Sequence, residues 1–258
     1  MESTLFPMRR SIDPDVLERR FLEAIASFWS ARSKNREEQQ LRGTIDQGNR
    51  AEVTGGTQLG ALELLIVDLL VEAGLDELDV RTRTRLEIPG YFRSEKKWDL
   101  LVVTKSGEAN RLILAIELKS MAGSTGKNLN NRAEEIIGNA VDLQTAYREH
   151  RFGHGVPRPF VGFLVLVEDL AEVNTPVKSA EPYFSVDPIF TGKTYAERWN
   201  VLCQRLMSES LYTAACCELI TRDPGHRAIA TLTSFHAFAA AVEGHAYTIR
   251  ETIQAERY

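Results

Sequence analysis

Apolar residues recur along the chain with two different periods, and these periods predict its elements. Stripes at helical spacing predict one helix over residues 14–32 and a second over 58–73 that ends at Gly74, a natural C-terminal cap. Residues 33–57, between the two helices, are polar and have no apolar period. Because loops of that length are uncommon inside compact domains, we expect this connection to be functional or to become ordered on binding.

Three strands are predicted after the second helix. Residues 79–88 alternate apolar and polar side chains, which is typical of a strand with one buried face. Residues 98–104 and 111–118 are almost continuously apolar, as expected of strands that are buried on both faces. Turn-forming residues at 105–110 separate these two runs, so the pair is predicted to form a hairpin.

The rest of the chain completes an α/β pattern. A helical stripe over residues 132–151 precedes an apolar run at 161–167, and a strand–helix–strand crossover favours parallel pairing. Two more helices are predicted over 195–210 and 235–254. The order helix, three strands, helix, strand predicts an α/β fold with a mixed central sheet, flanked by helices and extended by helical appendages at both ends.

Composition excludes several classes of protein. With 258 residues, 43% hydrophobic and 26% charged, the chain is neither disordered nor collagen-like. The three cysteines, Cys203, Cys216 and Cys217, have no CxxC spacing, and the adjacent pair is interpreted as a small buried apolar position. No secretory signal precedes the first helix, and three acids within 59–75 disfavour a membrane span. We therefore expect a cytoplasmic protein.

Positive charge is concentrated in one segment of this acidic chain, whose formal net charge is −5. Residues 81–97 hold six basic side chains against two acidic ones. Such a cluster favours contact with phosphates, although a basic stretch is more often a solvated face.

The predicted hairpin brings chemically active residues together. If Glu108 is its centre, Asp99 and Glu117 lie opposite each other, and Lys119 leaves the sheet on the same face as Glu117. Like charges placed opposite each other among apolar residues are destabilising, and a divalent cation between them would remove the repulsion. Carboxylate oxygens suit Mg²⁺, and the backbone carbonyl of Leu118 could supply a third ligand.

This site could hydrolyse a phosphodiester. A bound Mg²⁺ can acidify water and stabilise charge on a phosphate, while Lys119 can orient the water, deprotonate it or neutralise the intermediate. The sequence leaves those roles of Lys119 open. The structural alternative is that Glu117 and Lys119 are charges at a strand end and Asp99 caps its own strand.

Several stretches resemble a known family. They are residues 86–93, 97–102, 116–120, 130–135 with Gly138, and 195–206. They resemble the PD-(D/E)xK nuclease superfamily and, more narrowly, type II restriction endonucleases similar to XhoI. The resemblance extends over about residues 18–250, and its most specific parts are Trp98-Asp99 and residues 130–135.

The resemblance implies a restriction-endonuclease-like core and a Mg²⁺-dependent homodimer that works with a cognate DNA methyltransferase. The implied activity cuts both strands of palindromic double-stranded DNA, with CTCGAG as the site, and leaves 5′-phosphates. It also implies a single domain over 1–258, with a catalytic core at about 58–170. The segments 1–57 and 171–258 would then be helical appendages that contact DNA or form the dimer.

Contacts with DNA are predicted on both sides of the catalytic strand. The candidates are Arg93, Lys96 and Lys97 before Asp99, and Asn128, Asn130, Asn131 and Arg132 at the start of the next helix. Helix N-termini bind phosphates, and Asn can read adenine, although Asn131 could simply cap the helix. Tyr91 and Phe92 are interpreted as packing residues rather than as stacking platforms.

Other acids and other functions were weighed. Glu134 and Glu135 either support the site or are solvated, and Glu63 and Asp68 on the second helix are left out of it. Two rival functions remain open: a repair or junction-resolving nuclease of the same superfamily, and a DNA-binding module that does not cut. The pair of close acids disfavours the second rival, because bare carboxylates repel phosphate.

Overall fold

A computed structural model describes residues 12–41, 58–106, 109–123, 129–181 and 183–255. Five α-helices lie in these ranges: α1 (Pro14–Leu41), α2 (Gly60–Glu72), α3 (Leu129–Arg148), α4 (Tyr195–Ser208) and α5 (Phe235–Ala255). Eight strands accompany them: β1 (Val80–Arg81), β2 (Glu87–Pro89), β3 (Glu95–Lys97), β4 (Leu100–Ser106), β5 (Ala109–Met121), β6 (Phe160–Glu168), β7 (Ala214–Thr221) and β8 (Gly225–Ala228).

Six strands form a mixed sheet in the order β1-β4-β5-β6-β7-β8, and β2 pairs with β3 in a separate two-stranded hairpin. Strands β5, β6 and β7 run parallel, whereas β1, β4 and β8 pair antiparallel with their neighbours. The predicted α/β fold with a mixed central sheet is confirmed. The parallel pairing of β5 with β6 across α3 is confirmed as well.

Helices cover both faces of the sheet and create two apolar cores. Helices α1, α2 and α5 pack on one face, and α3 and α4 pack on the other. Strand β5 contributes alternately to both, with Ile116 and Leu118 in the first core and Ala115 and Met121 in the second. This two-sided burial explains why β4, β5 and β6 are almost continuously apolar in sequence.

The predicted end of the first helix is wrong. Asp13 accepts a hydrogen bond from the backbone N–H of Asp15 (2.9 Å), and the helix continues past residue 32 to Leu41. Residues 33–41 are rich in Lys, Arg, Glu and Gln, which favour a helix even where no apolar stripe packs against the core. The rest of the predicted polar connection, 42–57, lies outside the described residues.

The other predicted helices are present close to their predicted bounds. Helix α3 begins three residues earlier than predicted, at Leu129 rather than Arg132. Within the described ranges, no helix combines the length and the apolar character that crossing a membrane requires.

The prediction of one strand over residues 79–88 is also wrong. Only Val80 and Arg81 pair with β4, and the chain then leaves the main sheet and enters the separate hairpin at Glu87. Between these two strands, Arg85 has a φ of 58°, in the left-handed region, which ends an extended strand. The first residues of the alternating pattern belong to the main sheet, and its last residues belong to the two-stranded hairpin.

Strands β3, β7 and β8 were not predicted. Strand β7 is buried over most of its length and lies between β6 and β8, so the sheet continues beyond residue 170. Its Cys216 and Cys217 are fully buried free thiols, as the sequence predicted. An acid within β7, Glu218, obscured the apolar run in the sequence.

The register of the β4–β5 hairpin follows the prediction where it matters for chemistry. Leu100 pairs with Ile116, which are the partners expected if Glu108 is the centre. A bulge between Val102 and Val103 shifts the pairing by one residue from there to the closed end of this hairpin. The predicted register is therefore correct at the open end of the hairpin and wrong by one residue at its closed end.

Candidate active site

Asp99 lies immediately before β4, one position beyond the last pair of the hairpin. Its backbone N–H donates to the carbonyl of Ile116 (3.2 Å), and its Oδ2 accepts from the backbone N–H of Leu118 (2.7 Å). The preceding side chain, Trp98, is 1% exposed and anchors this position in the core. Asp99 is thus held across from Glu117, as the register predicted.

Glu117 is almost completely buried, at 1% exposure, and both of its carboxylate oxygens are paired. Its Oε2 accepts from Nζ of Lys96 (2.7 Å), and its Oε1 accepts from Nζ of Lys119. Burying a carboxylate costs several kcal/mol unless charge and hydrogen bonds compensate it, which explains why two ammonium groups converge here.

The ion pairs continue onto helix α3. Nζ of Lys119 also lies 3.3 Å from Oε1 of Glu135, whose Oε2 accepts from Arg132 (2.5 Å). Basic and acidic groups therefore alternate from Lys96 through Glu117 to Arg132. Of the two acids weighed at the start of this helix, Glu135 joins the site, and Glu134 is exposed.

The crowding of charge shifts the pKa values of three groups. Burial and the neighbouring charge of Glu117 raise the pKa of Asp99, against the hydrogen bond from Leu118 and two lysines. Burial lowers the pKa of Lys119, but the carboxylates of Glu117 and Glu135 outweigh it, and the net pKa is raised. Burial likewise opposes the effect of Lys119 and Arg132 on Glu135, whose pKa is lowered overall.

A cavity of about 650 Å³ opens beside Asp99, between α2 and the segment before β4. Its polar lining comes from Asp99, Glu63, Thr82, Arg83 and Lys97. Burial raises the pKa of Glu63, a hydrogen bond with Thr82 opposes this, and the charge of Asp99 raises it further.

Glu63 therefore faces the cavity that Asp99 lines, although the site predicted from the sequence does not include it. The available signal was an acidic residue within the apolar run of residues 61–67. Asp68, on the same helix, is exposed to solvent.

The basic residues before β4 occupy different environments. Lys96 contacts Glu117, whereas Lys97 is exposed and lines the cavity. Arg93 donates to Asp142 (2.7 Å) and to Asn139 (2.8 Å) on α3, with 42% of its side chain exposed. Contact with DNA remains a prediction for all three.

The start of α3 presents two exposed amides. Asn130 and Asn131 are accessible to solvent, and Arg132 is ion-paired with Glu135. Because the helix begins at Leu129, Asn131 lies inside its first turn and does not cap it. Asn128 lies outside the described residues.

The interpretation of Tyr91 and Phe92 as packing residues is wrong. Tyr91 is 48% exposed and Phe92 is 71% exposed. They lie in the turn between β2 and β3, and hydrogen bonds to α3 hold that turn while leaving both rings in solvent.

Asp99 and Glu117 are the two carboxylates of the predicted metal site. Among the residues that the structure describes, no group of three or more His, Cys, Asp or Glu side chains is arranged to hold a metal ion. Any ion bound here would rely on Asp99 and Glu117, on backbone oxygen and on non-protein ligands.

Comparisons with known proteins agree with one another. The family profile described as restriction endonuclease XhoI matches residues 38–231, a range that includes Asp99, Glu117 and Lys119. The chain is 40% identical over 186 residues to the type II restriction enzyme BstVI of Geobacillus stearothermophilus, covering 71% of this chain and 83% of that protein. It is 40% identical over 186 residues to the type II restriction enzyme XhoI of Xanthomonas vasicola, covering 71% and 72%.

A third relative is the type II restriction enzyme AbrI of Azospirillum brasilense, which is 44% identical over 169 residues, covering 65% of this chain and 73% of that protein. A search of solved structures finds no match. The chain therefore belongs to the XhoI family of restriction endonucleases, and it is a site-specific deoxyribonuclease.

Proposed function

We propose that this restriction endonuclease uses Mg²⁺ to cut both strands of a palindromic duplex, CTCGAG or a related site, and leaves 5′-phosphates. The observation that carries the proposal is the hairpin register, which holds Asp99 across from Glu117 with Lys119 on the same face. The relatives named above support the reaction class, since each is called a type II restriction enzyme.

The donor set fits a hard divalent cation. One oxygen of Asp99 accepts from Leu118, and the other meets no donor in the described part of the chain. Burial and the charge of Glu117 raise the pKa of Asp99, and a bound cation would offset both effects. Asp99, Glu117 and the carbonyl of Leu118 would hold Mg²⁺, and the bound ion would acidify water and polarise the phosphate.

The lysines supply the remaining positive charge. Lys119 is held by Glu117 and Glu135, so its ammonium group is positioned beside the carboxylates rather than free in solvent. There it would orient the attacking water or neutralise the charge that develops on the phosphate. Lys96, which contacts the other oxygen of Glu117, lies where it would contact the same phosphate.

Binding of the duplex would use both flanks of the site. Phosphates or base edges would be contacted from two places. One is the segment before β4, with Arg93 and Lys97, and the other is the start of α3, with Asn130, Asn131 and Arg132, together with Asn128. A palindromic target presents two equivalent strands, so two copies of the chain related by a two-fold axis would cut both strands. A methyltransferase with the same target would protect the host DNA.

Each copy would be a single restriction endonuclease domain, with a catalytic core at about 58–170. The helical segments before and after that core would contact DNA or the second copy. The protein would act in the cytoplasm, where its DNA substrate is found.

Digestion of unmethylated plasmid with and without Mg²⁺, followed by sequencing of the ends, tests this function. We expect discrete fragments that depend on Mg²⁺, share one palindrome and carry 5′-phosphates. Smears or nicks would indicate a nuclease that reads structure rather than sequence. Tight duplex binding without cleavage in any divalent metal would contradict the proposal.

Substitutions test the assignment of the site. Asp99→Ala and Lys119→Ala should abolish cleavage and leave DNA binding largely intact, because each removes a group that acts on the phosphate or on its cation. Asp68→Ala, which removes an exposed acid from α2, is the matched control and should cut normally. Full cleavage by either site variant would exclude this site.

A further inference from the structure

The turn that joins β2 to β3 is held by a single buried carboxylate. Asp142 of α3 accepts hydrogen bonds from the backbone N–H groups of Tyr91 (2.8 Å) and Phe92 (2.8 Å) and from Nε of Arg93 (2.7 Å). Its side chain is 5% exposed, so these contacts are shielded from water. Three donors from consecutive residues thus anchor the turn to a helix of the core.

Neighbouring residues reinforce the anchor. A Cβ atom on Gly90 would lie 2.5 Å from Oδ2 of Asp142, so the turn approaches α3 as closely as only glycine allows. Arg93 also donates to Asn139 (2.8 Å) and is therefore a positioning residue for the turn. The turn is rigid because both its backbone and one of its side chains are bound to α3.

The anchored turn holds two aromatic rings in water. Phe92 is 71% exposed, Tyr91 is 48% exposed, and their ring centroids are 4.9 Å apart in an edge-to-face arrangement. An adjacent pair of exposed aromatic rings on a rigid support is typical of a binding surface rather than of isolated surface residues. The turn is ordered by polar contacts on one side, while both aromatic rings remain exposed to solvent, Phe92 more than Tyr91.

The same hairpin extends to the candidate active site. Lys96 on β3 contacts Glu117 and lies over the ring of Trp98, 5.0 Å from its centroid. Phe92 precedes Lys96 by four residues, so their Cα atoms lie within about 13 Å of each other even if the segment between them were fully extended. The turn that carries Tyr91 and Phe92 is the tip of the β2–β3 hairpin. Since the major groove is about 12 Å wide, a duplex whose phosphate lies at Glu117 passes within reach of this tip.

Charge favours DNA as the partner of the tip. Lys97 is an exposed cation on the same hairpin. Arg93 and Lys96 also flank the aromatic pair, where they are paired with Asp142 and Glu117, and the acids of the hairpin are Glu87 and Glu95. Positive charge beside exposed aromatic rings is the combination that binds nucleic acid, because phosphates meet the cations and bases meet the rings.

We propose that Tyr91 and Phe92 contact bases of the target duplex next to the cleaved phosphate and contribute to its recognition. The inference rests on the proposed function, since it assumes that the duplex is cut at Asp99 and Glu117. The tip is held in position before DNA arrives by its contacts with α3, which involve Asp142, Asn139, Gly90 and Arg93. Little conformational freedom is therefore lost on binding.

The test uses the full chain and begins with the target sequence mapped from cut plasmid ends. Binding of Tyr91→Ala and Phe92→Ala is measured on a duplex of that sequence and on a scrambled duplex, with Ca²⁺ replacing Mg²⁺. Phe92→Tyr keeps the ring. Leu232→Ala is the matched control, because it removes an apolar side chain of similar exposure, 64%, beyond β8 at the opposite edge of the sheet.

We expect Phe92→Ala to weaken binding to the target roughly tenfold or more, since base–aromatic contacts of this size are lost. Binding to the scrambled duplex should change little, and Phe92→Tyr should retain most of the affinity. The fluorescence of 2-aminopurine placed at successive positions should show which base contacts the tip, with the signal lost in Phe92→Ala. Thermal unfolding of each variant should match that of the unchanged protein, because neither ring is in the core.

Two results would overturn the inference. If Phe92→Ala and Tyr91→Ala bind the target like Leu232→Ala, the tip does not contact bases. If Phe92→Ala converts a dimer into monomers in sedimentation without DNA, the tip joins two copies instead. Failure of the unchanged protein to cut plasmid would remove the proposed function and this inference together, whereas normal cutting with unaltered variants removes the inference alone.

Discussion

Two buried glutamates in the same sheet have different surroundings. Glu117 on β5 is 1% exposed, and Glu218 on β7 is 0% exposed. Glu218 accepts a hydrogen bond from the backbone N–H of Phe235 (2.6 Å) and contacts Nδ1 of His226 (3.1 Å). Nε2 of that histidine lies 2.9 Å from Glu18, so the cluster joins α1, β7, β8 and α5.

The partners of Glu117 are of another kind. They are the ammonium ends of Lys96 and Lys119, whose side chains are 14% and 19% exposed. Flexible lysines can exchange one anion for another, whereas a backbone N–H at the start of a helix cannot leave. Asp99 adds a second acid beside Glu117, and the cavity gives access from solvent. Burial of an acid therefore does not distinguish the two residues. Glu117 differs from Glu218 in its replaceable ammonium partners and in the acid, Asp99, that is held directly across the hairpin from it.

The largest expected difference between the two glutamates is in catalysis. Glu117→Gln should reduce cleavage by at least about a thousandfold, since the proposed metal ligand, worth several kcal/mol to the transition state, is lost. Glu218→Gln should cut normally when folded, and should lower the free energy of unfolding by about 1.5–3 kcal/mol through a lost charged hydrogen bond.

Cleavage rates and urea denaturation of both variants measure this contrast. Loss of cleavage in Glu218→Gln at temperatures where it is fully folded would contradict the assignment of catalysis to Glu117 and of stability to Glu218. So would unchanged cleavage in Glu117→Gln.

A smaller effect tests whether the cations around Glu117 are exchangeable. Lys96→Met should weaken duplex binding and reduce the slope of log affinity against log salt by about one, because one phosphate contact is lost. The free energy of unfolding should also fall by about 1–3 kcal/mol, because Oε2 of the buried Glu117 loses its partner while Lys119 still pairs with Oε1.

Binding titrations over a range of salt concentrations, with Lys105→Met as an exposed-lysine control, measure the slope. An unchanged slope would show that Lys96 supports Glu117 and does not contact a phosphate.

The smallest effect concerns the dependence of stability on pH. Burial lowers the pKa of His226, but Glu218 and Glu18 outweigh it, and the net pKa is raised above 6.5. A group with a raised pKa stabilises the fold fully below its unfolded value, so this stabilisation is present below pH 6.5 and is lost as pH rises through the folded pKa.

Urea denaturation across that range, on the unchanged protein and on His226→Gln, should show a decline with pH that the variant lacks. An identical decline in both proteins would assign it to other groups.

The candidate site could be predicted from sequence because it is local. Asp99, Glu117 and Lys119 belong to one hairpin, where the register and the two-residue period of a strand decide which side chains meet. The bulge at Val102 could not be predicted, and it shifts the pairing by one residue toward the closed end of the hairpin. The missed strand β7 shows the converse, since the partners that allow Glu218 to be buried come from other elements.

The sequence by itself determined the α/β order, the two-sided burial of β4, β5 and β6, and the meeting of two acids and a lysine, because these follow from periodicity and short-range pairing. Only the tertiary structure decided that Lys96 and Glu135 join the site, that Glu63 faces its cavity and that Phe92 stays in solvent. Those outcomes depend on contacts between distant elements, such as that of Tyr91 with Asp142, 51 residues apart in the chain. Packing of whole helices against the sheet sets such contacts, and no local pattern encodes them.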